Sequence, residues 1–120
     1  MSHLLFVDDN QLLTELLSEA ARMLGYEAVI AQSADSALHM LESLPETPRF
    51  ALVDVNMSGM TGFDFVRSVR QHPRMHDMNI YLTSGSPHED EGRALESGAN
   101  GYLPKPYGLD TVFMLVEGLD

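Results

Sequence analysis

Three apolar runs in this chain each stop on a polar side chain, and helical patterns separate them. Leu4-Leu5-Phe6-Val7 runs into Asp8-Asp9, Phe50-Ala51-Leu52-Val53 into Asp54, and Ile80-Tyr81-Leu82 into Thr83. Runs of large apolar residues without polar alternation suit strands covered on both faces, the condition inside a parallel sheet. After the first run, Leu12, Leu13, Leu16, Leu17, Ala20, Ala21 and Leu24 recur at helical spacing, and Gly25 stands where a helix C-terminus is capped. Glu27–Ala31 reads as a short strand, and Ser33 caps a helix carrying Ala34, Ala37, Leu38, Leu41 and Leu44 before Pro45 stops it. A glycine-containing loop after Asp54 leads to a helix with Phe65, Val66 and Val69 on one face. A weaker helical pattern over 89–97 precedes Gly98, residues 101–103 make a brief strand, and 109–119 a last helix. Five strands alternating with five helices over short connections predict an α/β fold with a parallel sheet, because each crossover helix must pack back onto the sheet.

Ligands of such sheets bind beyond the carboxyl ends of the strands. Asp8, Asp9, Asp54 and Thr83 all fall at that edge on three different strands, and Lys105, just after the fifth, joins them. Converging carboxylates need compensation, since two like charges about 4 Å apart repel by roughly 4 kcal/mol at an effective dielectric near 20. A divalent, oxygen-preferring cation supplies it, and Mg²⁺ keeps positions open for phosphate oxygens. A lysine and a hydroxyl beside it suit the remaining oxygens of a phosphoryl group. Asp54 stands alone at its strand end and is the candidate nucleophile, an aspartate route that yields an acyl phosphate.

Composition narrows the alternatives. The chain has 120 residues, enough for one domain with its own core and too few for two of ordinary size, so residues 1–120 are expected to form a single domain. Absence of cysteine excludes disulfides and thiolate metal sites and leaves oxygen and imidazole ligands. Eighteen acids against seven bases, a net charge of −11, argue against gripping a phosphate backbone, so no direct nucleic-acid binding is expected. No apolar stretch approaches a membrane span, and Met1-Ser2-His3 opens no secretion signal, so a cytoplasmic location is expected. The eight methionines are scattered and read as core filling, and the five histidines as surface residues, His72 and His76 forming only a loop pair.

Taken singly, Asp8-Asp9 would serve as a helix N-cap pair, Asp54 as a loop acid, Thr83 as a strand-end hydroxyl and Lys105 as a solvated cation. Their joint spacing, with Met57 and Gly62 behind Asp54 and Pro106 after Lys105, resembles the receiver domains of two-component response regulators, typified by the bacterial chemotaxis response regulator, over nearly the whole chain. The resemblance implies a flavodoxin-like, doubly wound (βα)5 fold with strand order 2-1-3-4-5. It implies that Asp54 accepts phosphate from a sensor histidine kinase or phosphotransfer protein, and that Asp8, Asp9, Asp54 and the Asn56 backbone carbonyl hold Mg²⁺. Thr83 and Lys105 would then bind phosphoryl oxygens, Thr83 and Tyr102 would act as the switch, and the Lys105-Pro106 bond would be cis. The implied downstream partners are another protein, a covalently linked output domain, or a second copy of the domain on activation. Such a switch catalyses its own phosphorylation and dephosphorylation and is otherwise no enzyme.

Two features depart from the pattern. Met57-Ser58 stands where Met-Pro is common, which frees one φ and predicts altered kinetics with function retained. Pro104 lacks an N–H for a sheet ladder and predicts that the fifth strand is a short edge. A phosphohydrolase of the haloacid dehalogenase type would need a second aspartate where Asn56 stands, and the chain has no room for a cap domain. In a flavodoxin-like cofactor carrier, Asp8-Asp9 would repel the phosphate that such a carrier must bind. A protein-binding module that does not switch is the remaining competitor.

Overall fold

The structure, a computed structural model, describes residues 3–85 and 87–118, the side chains of 87–89 excepted. Strands β1 (His3–Val7), β2 (Glu27–Ala31), β3 (Phe50–Asp54), β4 (Asn79–Ser84) and β5 (Gly101–Pro104) alternate with helices α1 (Gln11–Met23), α2 (Ala34–Ser43), α3 (Gly62–Arg70), α4 (Pro87–Ser97) and α5 (Leu109–Glu117). All strand pairs are parallel, in the order β2-β1-β3-β4-β5, as the family resemblance implied.

Successive strand residues point to opposite faces, so an unbroken apolar run feeds two cores at once. Leu5, Val7, Ala51, Val53, Ile80 and Leu82 turn toward α2, α3 and α4, where Ala37, Leu41, Val66, Val69 and Ala94 meet them. Leu4, Phe6, Phe50 and Leu52 turn toward α1 and α5, against Leu17, Ala21, Val112 and Val116. A shift of register by one residue would exchange the two faces, which pins each strand end, and with it each polar residue at the sheet edge.

The helix ends follow their sequence signals. Asn10 caps α1 by accepting the Leu13 N–H at 3.2 Å, Ser33 caps α2 and Thr61 caps α3. The N-cap of α1 is therefore Asn10, which leaves Asp8 and Asp9 for other work. Gly25 follows α1 with φ +91°, a conformation that costs residues with a Cβ. The periodicity of α1 is apolar on two sides: Thr14, Leu17 and Ala21 are buried, whereas Leu12, Leu16, Met23 and Leu24 face solvent. The last helix is described to Glu117, and Leu119 of the expected span lies outside the described residues.

β5 is an edge strand of four residues that ends on Pro104, where the missing N–H breaks no ladder, and the Lys105-Pro106 peptide is cis. Arg70, at the end of α3, donates to the carbonyls of Gly98, His76 and Met78 and to Asn100 Oδ1 at 2.7–2.9 Å, tying α3 to the approaches of β4 and β5. Met75 and Met78 are buried and Met40, Met57 and Met60 pack against the core, while Met23 and Met114 are exposed. His39 and His76 are exposed, His72 is half-buried, His3 pairs with Glu27 at 2.8 Å, and His88 lies outside the described side chains.

Gly62 sets the spacing between α3 and the end of β3. A Cβ there would lie 2.7 Å from the Asp54 carbonyl oxygen and 2.9 Å from Val55 Cα, both backbone atoms that cannot swing away. Gly62→Ala is expected to destabilise the fold by about 1–3 kcal/mol, the cost of overpacking a close contact, measured by urea unfolding. Parental stability would show that α3 can retreat from the β3 end freely.

Candidate functional site

Each side chain at the carboxyl edge is presented by the end of a buried strand. Asp8 follows β1, Asp54 closes β3, and Thr83 sits beside Asp54 in the β3–β4 register. Asp8, Asp54 and Thr83 are all buried, at 4%, 5% and 1% exposure, whereas Asp9 is exposed. Oxygens of Asp8, Asp9 and Asp54 lie within 4.8 Å of one another, the one such acidic or imidazole group among the described residues. His72 and His76 form none.

Lys105 enters from the end of β5. Its Nζ donates to Asp8 Oδ2 at 2.9 Å and lies 3.5 Å from Asp54 Oδ2. Backbone groups reach the other carboxylate oxygens: Asn10 N–H donates to Asp8 Oδ1 at 2.9 Å, and Asn56 N–H to Asp54 Oδ1 at 3.3 Å, which leaves further lone pairs open on each carboxylate. Asp9 makes no hydrogen bond or ion pair among the described residues, so of the two adjacent acids it is the one free to meet a ligand.

One ammonium faces three carboxylates, and the electrostatics reflect the deficit. Burial, and then the Asp8 charge, hold the Asp54 carboxyl above its ordinary 3.8, although Lys105 and the Asn56 N–H pull the other way. For Lys105, burial acts downward but is outweighed by the Asp8 hydrogen bond and by the charges of Asp54 and Asp8, and the net shift is upward. The lysine stays charged and the cluster keeps an excess of negative charge. An oxygen-binding divalent cation fits that donor set and that charge.

The Thr83 hydroxyl is buried without a hydrogen-bond partner among the described residues, beside Asp54. Tyr102 is half-buried and packs against the core, and its hydroxyl donates to the Ser84 carbonyl at 3.2 Å, so it is not simply solvated. Sequence reasoning missed Tyr107. With Asn10, Leu13, Gly85, Lys105 and Pro106 it lines a cleft of about 440 Å³ opening beside the carboxylates. Burial and the charges of Asp8 and Asp54 push its phenol well above the ordinary range, so it remains a neutral hydroxyl. Its place directly after Lys105-Pro106 was the available signal. A larger cleft, about 530 Å³, lies beside His3, Arg22 and Glu27 at the opposite edge of the sheet and is remote from this chemistry.

A raised carboxyl pKa means that the folded state holds the Asp54 proton more tightly than the unfolded chain. Its contribution to stability is therefore greatest below pH 3.8 and declines as pH rises through the folded value. Lys105 has the same sign at the alkaline end, where its contribution is lost as pH rises beyond 10.5 through the raised value. Without metal, Asp54→Asn is expected to raise Tm at pH 7 by roughly 2–5 °C, about 1 kcal/mol moving a domain of this size by about 4 °C. The gain should shrink on acidification below pH 4; a gain independent of pH, or a loss at pH 7, would contradict the charge deficit.

Residues 4–117 match the family described as the response regulator receiver domain. The transcriptional regulatory protein CpxR of Escherichia coli K12 is 35% identical over 107 residues, 89% of this chain and 44% of that protein. The chemotaxis protein CheY of Pseudomonas aeruginosa is 32% identical over 106 residues, 87% of this chain and 84% of that protein. The chain thus spans less than half the length of its CpxR relative. Among solved structures, the chemotaxis response regulator CheY4 of Vibrio cholerae superposes with a TM-score of 0.89 at 28% identity, covering 100% of this chain and 99% of that one. A putative response regulator from Chloroflexus aurantiacus gives 0.89 at 30% identity, covering 98% and 96%. With a five-stranded sheet in the order 2-1-3-4-5 and a match from residue 4 to 117, this chain belongs to the receiver domains of two-component response regulators, phosphoacceptor modules of phosphorelay signalling.

Proposed function

We propose that Asp54 is the phosphoacceptor and that a sensor histidine kinase or phosphotransfer protein is its donor. The observation that carries this reading is the Lys105 ammonium seated between Asp8 and Asp54, next to the partnerless Thr83 hydroxyl. In the transfer, an Asp54 carboxylate oxygen forms a bond to phosphorus while the bond from phosphorus to the donor imidazole nitrogen breaks. The bonding pair leaves with the imidazole, which takes a proton from solvent. Asp8, Asp9, Asp54 and the Asn56 carbonyl would hold Mg²⁺, which when bound offsets the negative charge of carboxylates and phosphoryl oxygens. Lys105 orients the phosphoryl group from the β5 side. The donor side chain approaches through the cleft of Asn10, Leu13, Gly85 and Tyr107, flanked by the exposed Leu12 and Leu16. Hydrolysis of the acyl phosphate by the domain itself resets it.

Phosphate adds acceptor oxygens next to Thr83, and the buried hydroxyl gains there the partner it lacks at rest. That differential interaction biases the domain between two arrangements, with Tyr102 responding beside Ser84. The readout face is formed by α4, β5 and α5, and it meets a downstream protein, a linked output domain or a second copy. Residues 1–120 act as one receiver unit in the cytoplasm. The acidic balance directs the domain to proteins and not to nucleic acid, and no helix among the described residues is long and apolar enough to cross a membrane.

Asp54→Asn is expected to abolish labelling by a small phosphodonor in Mg²⁺, because the amide is no nucleophile. Equal labelling would overturn the assignment. Asp9→Ala should weaken Mg²⁺ binding more than Asp8→Ala, since Asp8 is already engaged by Lys105 and the Asn10 N–H; a reversed order in metal titrations would count against this ligand set. Thr83→Ala should accept phosphate yet respond poorly, read as loss of the beryllofluoride-induced NMR shifts around Tyr102. Undiminished shifts would remove Thr83 from the switch.

A further inference from the structure

Helix α4 turns a polar stripe toward the sheet. Its buried side chains among those described are Asp90, Ala94 and Ser97, at 6%, 0% and 7% exposure. They are spaced i, i+4, i+7, where an amphipathic helix ordinarily carries large apolar residues. Its one large aliphatic side chain, Leu95, is 55% exposed, and Gly92 weakens its middle. With so little apolar burial, specific contacts carry a large share of the docking of α4. The Ser84 hydroxyl donates to the buried Asp90 Oδ2 at 2.5 Å, and Arg93 lies 4.4 Å over the Phe63 ring of α3 and 3.9 Å from Asp90 Oδ1.

Ser84 is a junction. It follows Thr83 at the end of β4, and its carbonyl accepts the Lys105 N–H at 3.0 Å and the Tyr102 hydroxyl at 3.2 Å. One residue therefore carries β5 and the site lysine on its backbone and α4 on its side chain. We infer that Asp90 is a positioning residue for the switch: through the Ser84 hydroxyl it holds the peptide that anchors Lys105 and Tyr102, and so sets how far the domain stays in its resting arrangement before phosphorylation. Movement of Thr83 toward a phosphorylated Asp54 carries the neighbouring Ser84 with it and loosens its hold on Asp90. The inference rests on the phosphoacceptor reading above, and neither Ser84 nor Asp90 belongs to the phosphoryl or metal site.

A hydrogen bond to a buried carboxylate shifts a two-state equilibrium by about tenfold or more. The test is amide NMR of the full chain, without and with Mg²⁺ and beryllofluoride, in the parent, Asp90→Ala and Asp90→Asn. The free and bound parental positions of the Tyr102 and Lys105 amides define a line. Asp90→Ala should lie along it toward the bound end before any beryllofluoride is added, an increase of about tenfold in the active population. Asp90→Asn keeps an acceptor oxygen for Ser84 and should remain at the parental position. Should Asp90→Ala fail to fold, Ser84→Ala removes the donor, keeps the carbonyl and gives the same readout. Changes confined to α4 with Tyr102 and Lys105 unmoved, or an Asp90→Asn indistinguishable from Asp90→Ala, overturn the inference while leaving the phosphoacceptor reading intact. A parent unmoved by beryllofluoride overturns both.

Discussion

The ammonium of Lys105, 2.9 Å from Asp8 and 3.5 Å from Asp54, is the contact on which the arrangement of the carboxyl edge depends. Without it, two buried carboxylates would face each other at the ends of neighbouring strands. With it, their repulsion is lowered but not removed, and Asp54 remains a carboxyl that burial and Asp8 hold reluctant to ionise. A site left short of positive charge favours a divalent cation, because the added positive charge relieves an imbalance already present in the fold.

That imbalance is held in place by the packing of the sheet on both faces. Each apolar strand buries alternate side chains on its two faces, and the register that satisfies both cores leaves no freedom to slide the acids apart. Gly62 lets α3 approach the Asp54 backbone closely, and Arg70 ties the far end of the same helix to β4 and β5. Apolar burial is thinner on the side of β5. β5 is a four-residue edge, and among its described side chains α4 shows the sheet a carboxylate, a methyl and a hydroxyl. A fold with a stiff centre and one loosely docked helix can convert a local charge event into a change of surface without loss of its core.

The strand-helix alternation, the cap at Ser33, the edge position of Pro104 and the gathering of Asp8, Asp9, Asp54, Thr83 and Lys105 all rest on local chemistry or on topology. They were legible for that reason: caps act through neighbours in the chain, and a parallel sheet brings every strand end to one edge. Asn10 and Thr61 as the caps of α1 and α3 are the exceptions, overlooked although the side-chain chemistry at both positions was there to be seen. The outward stripe of Leu12, Leu16 and Leu24 was not legible, since periodicity reports a helix without saying which of two apolar sides meets the sheet.

By itself the sequence determined the order of elements, the two-sided burial of β1 and β3 and the identity of the residues at the carboxyl edge, because these follow from periodicity and chain connectivity. Only the tertiary structure decided that Asp8 is engaged by Lys105 while Asp9 stays free. It alone decided that the Thr83 hydroxyl is buried without a partner and that Ser84 reaches Asp90. Those outcomes depend on which side chains of different elements come within hydrogen-bond reach of one another, and no spacing along the chain encodes that.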